Sequence, residues 1–309
     1  MNKEYTKAEL RKLSRKNHIK MEPAEKSVNI ISIIVCVLLL IISLFPILNL
    51  VATAFSRGSA EVSGKVYIWP VGFQIEGIKI IINGTSFFRS MLNTLILTFV
   101  GVAVSMAVTT LFAYPMSKQH LKGRKLLTVL CVINMVFSGG IIPSYIVVKS
   151  LNLLNTYWSI ILPSAVSVFN MLIIKNYFEG LPGEVMESAA VDGSGDLRTL
   201  VRIVVPMSVP VLATISLLYA ISYWNGYFNV IMYISKADKL TLQVFIRNLI
   251  ADTGTVTEQV DRSPETLGLL SSGVIVAGVT VLGLVPIVAV YPLVQRFMVQ
   301  GITVGSVKG

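Results

Sequence analysis

"ESAAVDGSGD", residues 187–196, separates two apolar runs, one closing near Ile174 and the other opening near Ile203. It carries Glu187, Asp192 and Asp196 and is broken by Gly193 and Gly195. The surrounding residues 180–206, "GLPGEVMESAAVDGSGDLRTLVRIVVP", have the order of a helix, a corner and a second helix. Pro182 suits a first helical turn, where its missing N–H is not needed. Glu184 and Glu187 come early, where the helix dipole favours negative charge. Val185 with Ala189, and Met186 with Ala190, make a small apolar face. Gly193 suits the position just past a helix end, where φ is often positive. Ser194 can cap a second short helix with Asp196 in its first turn, and Pro206 closes the segment. The spacing predicts a compact two-helix knob, a shape that fits a groove on a soluble partner.

The flanking runs define the fold class. Of the 309 residues, 54% are hydrophobic and 14% charged, and the mean hydropathy is +0.74. A soluble domain has about 25% charged residues. Six apolar runs approach the roughly 20 residues needed to cross a bilayer: 30–52, 91–116, 126–148, 157–174, 207–233 and 268–294. None contains Asp, Glu, Lys, Arg or His. The expected fold is all-α, a polytopic membrane protein with six transmembrane helices. The first run follows a basic segment and ends at Ala52-Thr53-Ala54, which resembles a cleavage site. It is longer than the roughly 7–15 residues of a signal-peptide core and reads as an uncleaved helix. Cys36 and Cys131 fall in two different runs, which suggests packing and no disulfide framework.

Basic residues favour the cytoplasmic side of short loops. Eight lie in the N-terminal tail, four in 117–125, three in 175–206 and two in the C-terminal tail. These are seventeen of the 26, and nine lie in the opposite loops. Both termini, and the 180–206 knob, are therefore expected in the cytoplasm. The expected domains are a basic tail (1–28), a six-helix unit (29–295) with an external loop at 234–267, and a C-terminal tail (296–309). The net charge of +10 calls for no nucleic-acid partner. The basic tail reads either as a solvated topology signal or as a segment lying on anionic lipid, where each cation gains about 1 kcal/mol.

Familiar catalytic constellations are missing from the sequence. His18 and His120 are its only histidines, with no H-E-x-x-H or Cys/His cluster for zinc. There is no G-x-S-x-G elbow. "DGSGD" alternates oxygens as a calcium loop does, but Leu197 and Ile203 stand where such a loop needs Gly and Glu. Asn83-Gly84-Thr85 is a formal glycosylation sequon and reads as a loop. No phosphate-binding G-x-x-x-x-G-K-[ST] occurs, so ATP hydrolysis is not expected in this chain. A secondary carrier usually places ionisable groups in its spans; here there are none, although backbone carbonyls can bind Na⁺.

Glu187-Ser188-Ala189-Ala190-Val191-Asp192-Gly193, followed nine residues later by Ile203-Val204-Val205-Pro206, resembles the EAA motif of the membrane subunits of bacterial ABC importers. Its usual form is E-A-A, three residues, G, nine residues, I, one residue, L-P. Ser188 stands for the first alanine and Val205 for the leucine; both keep the size or apolarity of the position. The motif lies in the loop before the penultimate run. "QRFMVQGITVGSVKG" (295–309) is similar to the tail of the maltose-type permeases of the carbohydrate importers, and "SYWNGYFNVIMY" (222–233) to their fifth span. The resemblance covers residue 28 to the end.

The resemblance implies a permease that pairs with a second, different permease to form one translocation path in the bacterial cell membrane. It implies two ATPase subunits beneath the pair, with ATP and Mg²⁺ on those partners and no cofactor in this chain. An extracellular binding protein would deliver the sugar, here an oligosaccharide. The motif would form a coupling helix in a cleft of the ATPase through Glu187, Ser188, Ala189, Ala190, Asp192, Gly193 and Pro206. The tail residues Gly301, Thr303, Gly305 and Lys308 would follow the ATPase interface.

Tyr219, Tyr223 and Tyr227 recur every four residues in the fifth run, Trp224 lies beside them, and Asn225 and Asn229 form another such pair. They read either as a sugar path, in which aromatic faces and amides hold hydroxyls, or as interhelical packing and an interfacial belt. Outside, 236–266 is longer than a simple connection needs, and "LQVFIRNLI" within it has the pattern of a short amphipathic helix. The alternative function is a stand-alone channel or secondary carrier; a membrane enzyme ranks third.

Overall fold

The computed structural model describes residues 23–84, 86–137, 139–251 and 271–305. Every element among them is helical. In chain order these are α1 (Pro23–Ala54), α2 (Gly58–Val62), α3 (Glu76–Gly84), α4 (Phe87–Ser117), α5 (Arg124–Val136), α6 (Ile141–Ser150), α7 (Trp158–Ile161), α8 (Val168–Glu179), α9 (Gly183–Val191), α10 (Asp196–Met207), α11 (Val209–Asn225), α12 (Phe228–Tyr233), α13 (Leu242–Ala251) and α14 (Ser272–Gly305). A short 3₁₀ turn, Ala237–Lys239, joins α12 to α13. Among the described residues, three helices contain stretches long and apolar enough to cross a membrane unbroken: Lys26–Ala54, Phe87–Ser117 and Ser272–Pro292.

The central pair is α4 with α11. The buried face of α4 carries Gly101, Ser105, Thr109 and Ala113, four residues apart. Such small-residue spacing lets helix backbones approach closely in lipid, where apolar burial does not drive helices together. Tyr219 and Tyr223 of α11 fill this stripe. A Cβ on Gly101 would lie 2.8 Å from the Tyr223 ring, so only glycine leaves room for it. The Tyr223 and Ser105 hydroxyls are 2.9 Å apart, and those of Tyr219 and Thr109 are 2.8 Å apart. α8 packs on the same pair and α14 on the far side of α11, with α1 outermost against α14. The main core joins Leu97, Ala113, Met116, Met171, Ile174, Ile215, Tyr219 and Tyr223; a second cluster gathers Ile81, Phe87, Trp224, Leu242 and Ile275.

Loops tie to one another at two opposite ends of α4. Near its start, Asn93 donates through Nδ2 to the carbonyls of Asp238 and Leu240, and Thr94 Oγ1 accepts from Leu242 N–H, satisfying an amide at the start of α13. At the same end Asn155, in the left-handed region at φ 60°, accepts through Oδ1 from the amides of Ser235 and Lys236. Near the other end, Glu179 at the close of α8 pairs with Arg124 and, at 2.9 Å, with Lys175.

Three of the six expected spans are interrupted. Residues 126–148 form α5 and α6, bent by 110° around Gly139-Gly140, where Gly140 has φ 85°. Residues 157–174 give the single turn α7, then an irregular 162–167 containing Pro163, before α8 begins. Leu162 keeps helical dihedrals (φ −64°, ψ −47°), but Pro163 has no N–H with which to continue the helix, and the apolar count alone does not register this. Residues 207–233 are cut at Ser208 and at Gly226-Tyr227. The sixth helix instead overruns its expected end at 294 and continues to Gly305. Asn83 and Gly84 of the sequon close α3 and do not form an open loop. "LQVFIRNLI" is helical as expected, as part of α13. The basic tail to residue 22, and residues 252–270, which hold most of the loop expected at 234–267 to be external, lie outside the described residues.

Replacing Gly101 with Val should disturb the central pair. Overpacking of a filled core costs about 1–3 kcal/mol. The thermal unfolding midpoint of the purified protein in detergent should fall, and Gly183→Ala, where a Cβ meets nothing within 4 Å and φ is not positive, should move it less. An unchanged midpoint for Gly101→Val would mean that α4 and α11 are not packed this closely.

Candidate coupling loop and transport cavity

Helix α9 ends as its sequence dictates. Gly193 has φ 73°, and Ser194 N–H donates to the Ala189 carbonyl at 2.9 Å, the long bond of a Schellman cap. Asp192 N–H donates to Ser188 O, the last ordinary helical bond. The second helix is capped differently from the expectation. Gly195 is the extended N-cap residue, with no side-chain cap bond. Ser194 Oγ instead accepts from Thr199 Oγ1 at 3.2 Å, bracing the corner across five residues.

Beyond the corner the backbone changes gauge. Pro206 cannot donate to the carbonyl four residues back, and its ring crowds that carbonyl. Leu200–Val204 widen to a π turn, and Val205 N–H donates to Leu200 O. The helix passes through Pro206 and stops at Ser208, two residues later than a helix ended by that proline would. There the chain turns by 86° into α11. The knob is thus fixed by a single bent arm to the helix that carries Tyr219 and Tyr223.

One side of the knob is seated and the other is free. Ala189 is buried, and Leu181 and Met186 pack against the main core with Phe178 and Leu200. Glu184, Glu187, Ser188, Asp192 and Gly193 are exposed. Ser188 Oγ donates back to Glu184 O, so its hydroxyl is occupied within its own helix. Among these carboxylates stand Val191, 88% exposed, and Leu197, 66% exposed. Sequence reasoning missed both as surface contacts. The signal was available: neither falls on the apolar face defined by Val185, Met186, Ala189 and Ala190.

The aromatic candidates separate. Tyr219 and Tyr223 are buried on the α4 side of α11, and Trp224 is buried in the second cluster. Tyr227 does not share their helix, because α11 ends at Asn225 and Gly226 turns away with φ −71° and ψ 96°. Tyr227 is exposed, while Asn229 lies in α12, so Asn225 and Asn229 are not one turn apart on a continuous helix. Asn225 Nδ2 donates to Ile221 O within its own helix. Gly301, Thr303 and Gly305 belong to the last turns of α14, and Lys308 lies outside the described residues.

Tyr219 and Tyr223 also border a half-open cavity of about 400 Å³ between α8 and α11, with Ser164, Ser167, Phe169, Asn170 and Ser222. A hydrogen-bond chain forms its wall. Ser167 N–H donates to Tyr219 Oη at 2.9 Å, and Thr109 Oγ1 donates to Ala165 O at 3.4 Å. This leaves the Tyr219 hydroxyl to donate to Thr109. The wall is therefore the interrupted segment 162–167, irregular backbone of the kind tolerated at membrane depth where it lines a cavity. The cavity has hydroxyls, an amide and an exposed Phe169 ring, and no charged side chain in its lining. Sequence reasoning named its two tyrosines but not its serines, Phe169 or Asn170.

Residues 94–303 match the family described as binding-protein-dependent transport system inner membrane component. The chain is 40% identical to Protein LplC of Bacillus subtilis (strain 168) over 87% of this chain and 90% of that protein. It is 37% identical to the polygalacturonan/rhamnogalacturonan transport system permease protein YtcP of the same organism, over 87% and 94%. The crystal structure of a bacterial ABC transporter involved in the import of the acidic polysaccharide alginate contains a chain that superposes with a TM-score of 0.81 at 29% identity, covering 89% of this chain and 98% of that one. The protein belongs to the binding-protein-dependent inner membrane component family: it is a permease subunit of an ABC importer, a multi-pass cell-membrane protein, and not an enzyme. The reading as a stand-alone channel or secondary carrier is thereby set aside.

Gly193 and Gly195 form a matched pair for testing the corner. A Cβ at either meets nothing within 4 Å, but only Gly193 has positive φ. Gly193→Val should cost about 1–2 kcal/mol through backbone strain and lower both sugar uptake and recovery of the ATPase with the purified chain. Gly195→Ala should leave both near wild type. Equal behaviour of the two variants would remove the conformational role assigned to Gly193.

Proposed function

We propose that this chain pairs with a different permease subunit to form the path for an oligosaccharide, delivered by an extracellular binding protein and driven by two ATPase subunits that carry the ATP and Mg²⁺. The observation that carries the reading is the knob at 183–199, which shows Glu187, Val191, Asp192 and Leu197 outward and is joined by one bent arm to the helix bordering the cavity. In this scheme the ATPase cleft receives the exposed face, Gly193 supplies the turn, and Ala189 and Pro206 hold the seat and the arm. Ser188 and Ala190 complete the motif, while Gly301, Thr303, Gly305 and Lys308 follow the ATPase interface. Closure of the ATPases on ATP would move the knob and bias the path between two states.

Six membrane crossings with both termini in the cytoplasm go with this function. In support, the loops with excess basic charge supply Arg124 and Lys175, which meet at Glu179. The loops assigned to the outside meet separately through Asn93 and Asn155. Reporter fusions after Lys239 should read external and after Gly195 internal; the reverse would sink both the topology and the coupling role.

The cavity supports an oligosaccharide and limits how this chain holds it. One relative is named for polygalacturonan/rhamnogalacturonan transport, and the structural neighbour belongs to an importer of the acidic polysaccharide alginate. The lining of this cavity offers hydroxyl, amide and ring contacts without a cation. On this reading the chain contacts sugar hydroxyls and ring faces through Phe169, Asn170, Ser222, Tyr219 and Tyr223. Trp224, Asn225, Tyr227 and Asn229 are outer candidates. Asn170→Ala and Phe169→Ala should lower sugar uptake while leaving sugar-independent ATP hydrolysis by the purified transporter near wild type. Equal losses in both, with poor assembly, would mark the cavity as packing.

A further inference from the structure

The segment between α1 and α3 presents an apolar surface that nothing in the transport scheme uses. Tyr67, Trp69 and Phe73 are 64%, 81% and 70% exposed, and Ile68 and Val71 are also exposed. Loose loops often expose such residues, but this one is tied down. Ser56 Oγ donates to Ala52 O and accepts from Val71 N–H; Arg57 N–H donates to Val71 O; Gln74 donates to Phe55 O from its backbone and to Ser56 O from its side chain. The Phe55 and Phe73 rings stack with centroids 5.8 Å apart. Gly72, at φ 65°, has no Cβ to block the Arg57 side chain, whose Cδ would lie 2.8 Å from one.

The loop also has a definite height. Asn49 Nδ2 donates to the carbonyls of both Val66 and Tyr67, at 3.0 and 2.8 Å. Asn49 lies five residues before the end of α1 at Ala54. At 1.5 Å per residue the loop has turned back about 7.5 Å along the helix. The loop therefore lies beside the last turns of a helix apolar enough to cross a membrane and not beyond them, the level at which amphipathic segments settle between headgroups and acyl chains. The large apolar side chains of α1 are exposed from Val28 to Leu48, and Val51 is exposed beyond them, so the aromatic surface continues an apolar one that fits lipid. Arg57 and Lys65 are exposed beside it. A Trp and a Tyr flanked by cations complement a phospholipid headgroup region: the rings sit at the interface and the cations meet phosphates.

We infer that residues 66–73 form a preformed anchor that seats in the headgroup boundary of the outer leaflet, with Trp69 inserted and Arg57 and Lys65 on lipid phosphates. This fixes the height of α1, and with it the external end of the permease, relative to the bilayer. The inference rests on the proposed topology, in which the end of α1 is external.

The test uses the full chain in phospholipid vesicles, alone and in the assembled transporter, with wild type compared to Trp69→Phe. The emission lost in that variant belongs to Trp69, since Trp158 and Trp224 are common to both. It should be quenched by phospholipids brominated near the top of the acyl chain, less by those brominated near its end, and poorly by aqueous iodide. Quenching by iodide alone would overturn the anchor in favour of a water-exposed loop. Quenching by neither in the assembled transporter would overturn it in favour of a protein contact. A bimane on Cys36, exposed on α1, in a Cys131→Ala background, gives the control. Lipid quenching of bimane without quenching of Trp69 refutes the anchor and leaves α1 a lipid-facing helix; no lipid quenching of bimane refutes the lipid-facing surface that the anchor continues. An internal reading from a reporter fused after Phe73, with Trp69 still quenched by lipid, refutes the topology and spares the insertion of the loop.

Discussion

Gly101, Ser105 and Thr109 lie one turn apart along α4, and Tyr223 and Tyr219 occupy the matching positions on α11. In a bilayer this fit must replace the hydrophobic effect, because lipid tails solvate apolar helices as well as other helices do. The hydroxyl pairs add specificity more than strength, since hydrogen bonds between membrane helices average about 0.6 kcal/mol. The larger factor is steric: the Tyr223 ring occupies the space a side chain at 101 would need. The rest of the structure follows from this pair. Tyr219 holds the interrupted segment before α8 through Ser167, and α4 holds the segment leading into α13 through Asn93 and Thr94.

The same pair places the cavity and the knob, the two candidate functional features, on one element. The cavity borders α11 on its open side, and the knob joins its start through the bend at Ser208. The knob is braced by the Ser194–Ala189 bond, the Thr199–Ser194 bond and the burial of Ala189, and the π turn before Pro206 keeps the arm helical. A push on the exposed face therefore acts on a structure with few soft joints before α11. The sharp turn at Ser208 is the place where the arm can pivot against the helix. Its hydroxyl is buried without a partner, a local cost consistent with an elbow that has more than one arrangement.

The sequence made the knob legible because its signals are local: a glycine at a left-handed position, early carboxylates and a small apolar face each act within one turn. The membrane class was legible from composition and the central helices from length. The breaks were not. Gly139-Gly140, Pro163 and Gly226 interrupt runs whose apolar content is continuous, so a count of apolar residues passes over them. The error carried into the site, where Tyr227 and Asn229 were aligned on a helix that ends at Asn225. The cavity residues Ser164, Ser167 and Asn170 were invisible for a related reason. They are ordinary polar residues in an apolar run until the break at 162–167 brings them together with Ser222. Val191 and Leu197 were not singled out because neither belongs to the four-residue pairs that define the knob's apolar face, and their exposure shows only in the folded chain.

The account depends most on the outward face of the knob meeting the ATPase. A cysteine in place of Val191, in a background without Cys36 and Cys131, can be labelled with benzophenone maleimide and joined by light to C–H bonds of whatever neighbour it touches, in membranes containing the whole transporter. The predicted product is this chain linked to the ATPase subunit, with a yield that changes when a non-hydrolysable ATP analogue is added. Linkage to the second permease, or a yield indifferent to the nucleotide, would contradict it.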